Sequence, residues 1–130
     1  IPNFVRQALA GEDIRGFGDG EQPRCFTHVY DAVEAVQRLL DTEKIIRGEV
    51  FNIGSYHEIS INELAERIRD LTGSSSDIVH VPYEDVYGPG FEDMRRRTPN
   101  VTKLRETIGF VPERGTDEIL KDVIGATTPS

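Results

Sequence analysis

Apolar positions along this chain switch repeatedly between helical and strand spacing. Phe4, Val5, Ala8 and Leu9 share a helical face, Pro2 suits a first turn and Gly11 a stop, so 2–10 reads as a helix. Residues 13–18 read as a short strand running into an Asp19-Gly20 turn, and 24–28 as extended chain. Val29, Ala32, Val33, Val36, Leu39 and Leu40 then recur at helical spacing, predicting a helix from Val29 to about Thr42. Asp31 lies near its start, where a carboxylate favours the dipole. Glu49 to Gly54 reads as a brief apolar strand. Ser60-Ile61-Asn62-Glu63 has the form of a capping box, and Ile61, Leu64, Ala65, Ile68 and Leu71 form one stripe as far as Gly73.

Farther on, Ile78, Val79 and Val81 predict a strand that Pro82 ends, and 83–99 reads as irregular around Gly88-Pro89-Gly90. Asn100 is placed to cap a helix carrying Val101, Leu104 and Ile108 and stopped by Gly109. A last helix carries Ile119, Leu120, Val123 and Ile124, and 126–130 should fray. The sum is four or five helices and three or four short strands in mixed order, with no repeat and no dividing linker. That predicts one mixed α/β domain over 1–130, with too few strands for a complete six-stranded sheet.

Composition narrows the partners. With 15 Lys+Arg against 23 Asp+Glu the formal net charge is −8, which argues against nucleic-acid binding but leaves room for a local basic pocket. No apolar run approaches the roughly 18 residues of a membrane span. Cys25 stands alone, so no intrachain disulfide forms and a reducing, cytoplasmic setting is expected. His28, His57 and His80 are not spaced as zinc ligands, so no metal is expected. The chain opens at Ile1-Pro2-Asn3-Phe4 without an initiator Met or a signal sequence, and we expect a piece of a longer protein.

Three features bear on chemistry. Gly16-Phe17-Gly18-Asp19-Gly20 follows a strand, but Gln22-Pro23-Arg24 comes next instead of a helix, so it reads as a tight turn rather than a dinucleotide loop. Arg24 and the run Arg95-Arg96-Arg97 are the cationic candidates. Two separated arginine forks suit a diphosphate, whereas spacing alone points to surface pairing with Glu92 and Asp93. Phe17, Phe26, Tyr56, Tyr83 and Tyr87 offer faces on which a planar base can stack, although a single Phe is more often core. Catalytic patterns are missing: there is no Gly-x-Ser-x-Gly, no His-Glu-x-x-His, no Walker loop and no Tyr followed four residues later by Lys. His28 beside Asp31 reads as a packed or capping histidine. Taken alone, the chain reads as a binding piece and not as an enzyme.

The stretch Gly18-Asp19-Gly20-Glu21-Gln22-Pro23-Arg24-Cys25-Phe26-Thr27-His28-Val29-Tyr30-Asp31 resembles the G-D-G-x-Q-x-R-x-F-x-x-V-x-D run of extended short-chain dehydrogenase/reductases acting on nucleotide sugars. Val50-Phe51-Asn52-Ile53-Gly54-Ser55, then Arg97-Thr98-Pro99-Asn100-Val101-Thr102-Lys103, then Ile108-Gly109-Phe110-Val111-Pro112 match the family in its order, as does Ile1-Pro2-Asn3-Phe4. UDP-glucose 4-epimerases and UDP-glucuronate decarboxylases are the subgroups it most resembles. The resemblance implies the carboxy-terminal, substrate-binding portion of such an enzyme. That portion would bind the nucleotide diphosphate of an NDP-sugar, with a UDP-sugar expected. NAD and the Tyr-x-x-x-Lys would belong to a preceding Rossmann domain, leaving this chain without cofactor and inactive by itself.

Carried over from the resemblance, Phe17 would lie beside the uracil, Arg24 and Arg97 would hold the diphosphate with Arg96 a close rival, and Gln22 would border the pocket. Phe26 fills an often aromatic place, and Asn100 replaces the usual ribose-binding Asp. Gly16 stands where a residue such as Val is usual, which should weaken its strand. Residues about 29–54 would complete the Rossmann domain. Alone they should expose apolar surface and an unpaired strand edge, so that the chain forms a homodimer, pairs with a Rossmann partner or leaves that region poorly ordered. The alternatives are a decarboxylase or 4,6-dehydratase substrate domain, or a non-catalytic nucleotide- or partner-binding module.

Overall fold

The computed structural model describes residues 1–129 and is a small mixed α/β fold. It falls into two compact units, one made of 1–24, 59–97 and the chain from Leu120 on, the other of 25–58 and 98–119.

In the first unit, Pro2–Ala10 (α1) and Ile61–Thr72 (α3) pack on each other and on Ile14–Phe17 (β1). β1 pairs in parallel with Ile78–Val81 (β4), in a register that sets Ile14 opposite Ile78 and Phe17 opposite Val81. Parallel neighbours need a crossover, and α3 supplies its helix. α3 starts where the sequence said: the Ser60 hydroxyl accepts from Glu63 N–H and the Glu63 carboxylate accepts from Ser60 N–H. Val5, Ala8, Ile14, Leu64, Ala65, Ile68 and Leu120 are buried at the centre. Gly16 costs this strand little space, since a Cβ there would meet Ile61 at an ordinary 3.8 Å.

In the second unit, Val29–Asp41 (α2) packs against Thr102–Ile108 (α5). Their core is Ala35, Val101, Leu104 and Val111, flanked by Leu39, Phe51, Ile53, Ile108 and Phe110. His28 is the N-cap of α2, its Nδ1 accepting from Tyr30 N–H at 3.1 Å. Asp31 is buried and accepts from the N–H groups of Glu113 and Arg114 and from the Arg114 guanidinium. α2 is apolar on two sides. Ala32, Ala35 and Leu39 turn inward, while Val29, Val33, Val36 and Leu40 are exposed.

Several boundaries differ from the sequence reading. Glu49 to Gly54 is not a strand: Phe51 and Ile53 pack inward, as their alternation requires, but a strand needs a paired neighbour. Tyr83–Tyr87 (α4) is a short helix inside the region read as irregular. Glu58–Ser60 (β3), too short to show a period, forms a two-stranded sheet with Pro23–Cys25 (β2). α5 begins at Thr102, and Asn100 supports it by accepting from Thr102 N–H at 3.0 Å. Thr116–Thr127 (α6) runs past the expected fraying point, helped by the Thr127 hydroxyl donating to Val123 O at 2.7 Å. The described residues therefore hold six helices and four strands.

Candidate functional site

The site is built around the turn that ends β1. Gly18 has φ of 71° and its N–H donates to Val81 O at 2.9 Å. The Tyr83 ring lies against its bare face, where a Cβ would come within 2.5 Å of Tyr83 Cε2. Gly20, with φ of 74°, faces Asn62 in the same way. Asn62, in the first turn of α3, fixes the loop: its N–H donates to Gly20 O at 3.0 Å and its amide donates to Asp19 O and Glu21 Oε1. The glycine cluster thus seats a ring and a loop. It leads into β2 and opens no helix, unlike the strand-to-helix turn on which a dinucleotide pyrophosphate rests.

β2 carries Arg24 into this region. Its guanidinium donates to Pro23 O at 2.8 Å, to Met94 O at 2.7 Å and to the Asp93 carboxylate. The backbones of Arg24 and Arg97 form a parallel bridge, which brings the two arginines side by side. Arg97 Nη2 lies 3.7 Å from the other Asp93 oxygen. Two guanidiniums from distant parts of the sequence thereby meet at one carboxylate. The Arg24 side chain is only 15% exposed and the Arg97 side chain 58%, so Arg24 is the better desolvated fork. Arg95 reaches Asp19 at 3.8 Å, and Arg96 is exposed.

Aromatic rings cluster beside this pair. α4 places Tyr83 and Tyr87 one turn apart. Tyr87 stacks on Phe91 at 4.4 Å and meets Phe17 edge-on at 6.0 Å, while Tyr83 lies 5.4 Å from Phe91. A cleft of about 250 Å³ runs between Phe17, Arg24, Tyr83, Tyr87, Phe91 and Asp93. A neighbouring hollow of about 450 Å³ extends past Gly18, Asp19 and Gln22 toward Arg95. Gln22 Nε2 donates to the Tyr83 hydroxyl at 2.8 Å, and that hydroxyl donates to Asp93 at 3.1 Å. Burial first, and then the hydrogen bond to the Asp93 carboxylate, push the Tyr83 hydroxyl above its ordinary value.

Of the residues singled out from the sequence, Phe17, Gln22, Arg24 and Arg97 come together here. Phe26, half-buried just after β2, and Asn100, at the start of α5, lie in the second unit. Tyr83 and Tyr87, two of the candidates for stacking a base, line the same cleft, as do Phe91, which the sequence did not single out, and Asp93, which it offered only as an ion-pair partner. The i, i+4 spacing of the two tyrosines was the available signal for one helical face. Among the described residues no cluster of three His, Cys, Asp or Glu side chains is placed to hold a metal, and no helix is long and apolar enough to cross a membrane.

Residues 1–123 match the profile of a family described as GDP-mannose 4,6 dehydratase. A UDP-N-acetyl-alpha-D-glucosaminuronate decarboxylase of Bacillus cytotoxicus is 51% identical over 124 residues, which are 95% of this chain and 38% of that protein. UDP-glucose 4-epimerase of Thermotoga maritima, solved with UDP-glucose, superposes with a TM-score of 0.79 at 30% identity, over 94% of this chain and 37% of its own. MoeE5, solved with UDP-glucuronic acid and NAD, superposes with a TM-score of 0.80 at 31% identity, over 95% of this chain and 39% of its own. The chain therefore spans well under half the length of the proteins it matches.

Proposed function

The chain belongs to the GDP-mannose 4,6-dehydratase family of NAD-dependent epimerases and dehydratases within the extended short-chain dehydrogenase/reductases, and from that premise we propose that it binds the nucleoside diphosphate of a UDP-sugar through its first unit. Arg24 and Arg97 take the diphosphate, with Arg96 the neighbouring cation. The aromatic box of Phe17, Tyr83, Tyr87 and Phe91 takes the base, and Gln22 orients the Tyr83 hydroxyl beside it. The observation that carries this reading is the convergence of both arginines on one carboxylate, because groups arranged to hold one anion are arranged to hold another. The UDP-sugars named in the related structures and in the decarboxylase support it. Phe26 and Asn100 remain assignments of the resemblance alone.

The parent enzyme would use NAD, as the NAD held by a related structure supports, and would bind it in a Rossmann portion outside these residues. The exposed face of α2, with Val29, Val33, Val36 and Leu40, is the surface we assign to that portion, in the same chain or a partner, because a second apolar stripe has no use in water.

Calorimetric titration of UDP into the chain, with Arg24→Ala and Arg97→Ala alongside, tests the binding. A charge-assisted hydrogen bond is worth about 1.5–3 kcal/mol, so Arg24→Ala should weaken UDP by roughly ten- to a hundredfold. Arg97→Ala should cost less, since its guanidinium is already mostly in solvent. Absence of saturable binding to the unaltered chain, or binding indifferent to Arg24→Ala, would overturn the assignment.

A further inference from the structure

Asp93 lies where the guanidiniums of Arg24 and Arg97 meet. One carboxylate oxygen takes Arg24 and the Tyr83 hydroxyl, and the other faces Arg97 at 3.7 Å. Three donors around a single carboxylate form the donor set an anionic oxygen pair requires. We infer that Asp93 is an internal counter-ion of the clamp, displaced by the incoming diphosphate, and that it sets the affinity threshold for anions at this site. The inference rests on the reading of Arg24 and Arg97 as a diphosphate clamp and deepens it.

The fold permits the exchange. Asp93 lies on the irregular run that follows α4, outside any helix or strand, so the carboxylate can leave without dismantling an element. Arg24 keeps Pro23 O and Met94 O as acceptors, which hold its guanidinium in place during the swap. Tyr83 keeps the hydrogen bond from Gln22, so its own proton becomes available to a ligand oxygen once Asp93 is gone. A tethered carboxylate competes at high effective concentration. Weakly bound anions such as inorganic phosphate then fail to fill the clamp, while a ligand that adds base stacking to diphosphate contacts succeeds. A ligand without phosphate does not meet this competition at all.

The apparent affinity of such a clamp is its intrinsic affinity reduced by the fraction of time it stands open. If Asp93 closes it nine-tenths of the time or more, its removal tightens the ligand about tenfold or more. The test is titration of UDP, uridine and inorganic phosphate into the chain and into Asp93→Asn, with Asp93→Ser as a second uncharged replacement and a thermal melt of each to confirm folding. UDP should bind both variants about tenfold or more tightly than the unaltered chain. Uridine should bind all three proteins alike, and inorganic phosphate should compete with UDP more effectively in the variants. UDP affinity unchanged or weakened in both variants, with Arg24-dependent binding intact in the unaltered chain, would overturn the counter-ion while leaving the clamp standing. Equal tightening of uridine would also overturn it, by tracing the effect to pocket shape. Failure of UDP to bind any of the three would remove the clamp and the counter-ion together.

Discussion

Asp31 is 2% exposed and accepts three hydrogen bonds, from Glu113 N–H at 3.1 Å, from Arg114 N–H at 2.9 Å and from the Arg114 guanidinium. Replacing it by Asn keeps the volume and removes the charge. The new amide group is a donor, yet every neighbour of the carboxylate is also a donor, so one side of the side chain must face a donor unpaired. The cheaper orientation turns the amide toward Arg114, whose side chain is 38% exposed and can rotate into water. That loses the ion pair at a discounted value of about 1 kcal/mol. The two backbone bonds survive but lose their charge assistance, about 1 kcal/mol together, and the first turn of α2 loses a favourable charge worth about 0.5 kcal/mol. Asp31→Asn should therefore cost about 2–3 kcal/mol, a large share of a domain stability of roughly 5–15 kcal/mol. Arg114→Ala should cost only about 1 kcal/mol, because Asp31 keeps both backbone donors. Urea unfolding followed by circular dichroism gives both numbers, and amide hydrogen exchange at Glu113 and Arg114 reports the two bonds directly. An Arg114→Ala loss equal to that of Asp31→Asn, or amides at 113 and 114 that exchange no faster in Asp31→Asn, would refute the reasoning.

Gly20→Ala should cost about 2–3 kcal/mol by thermal or urea unfolding, from a left-handed backbone that disfavours a Cβ by roughly 1–2 kcal/mol and from displacement of the Asn62 amide that anchors the loop. The raised Tyr83 hydroxyl predicts that the fold carries no penalty from this group below its ordinary value of 10.0 and loses stability as pH rises through the higher folded value. Ultraviolet titration of phenolate absorbance should show a late-ionising component that Tyr83→Phe removes. Val33→Glu, on the open face of α2, should change stability by no more than about 0.5 kcal/mol and lower the fluorescence of a dye that binds apolar surface. A loss above about 2 kcal/mol would show that the face is already covered.

The sequence was most legible where one turn of chain holds the whole instruction. The capping box at Ser60 and the His28 cap are complete within four residues, and both formed as read. The region from Glu49 to Gly54 shows the opposite case. Phe51 and Ile53 pack inward with the alternation of a strand, but whether the backbone becomes a strand depends on a neighbour that local pattern does not supply. α2 shows a third case. Its apolar positions cover more than one face, and periodicity alone merges a covered stripe with an open one; only packing against α5 separates Ala35 and Leu39 from Val33 and Leu40.

The arginines carry this limit to the site itself. Spacing pointed to surface ion pairs with local acids, and the family resemblance pointed to a clamp for diphosphate. The structure shows the acid on which the two arginines meet: Asp93 pairs with Arg97 four residues along and is also the carboxylate that Arg24 reaches from β2. What no local spacing contains is the parallel bridge that sets Arg24 beside Arg97. An ion pair between sequence neighbours at the surface is worth about 0.2–1 kcal/mol and needs no explanation. A second guanidinium, largely buried and held by two carbonyls on the same carboxylate, is a different object. It concentrates positive charge in a chain of net charge −8, and that concentration is the physical reason for proposing a ligand at the pair.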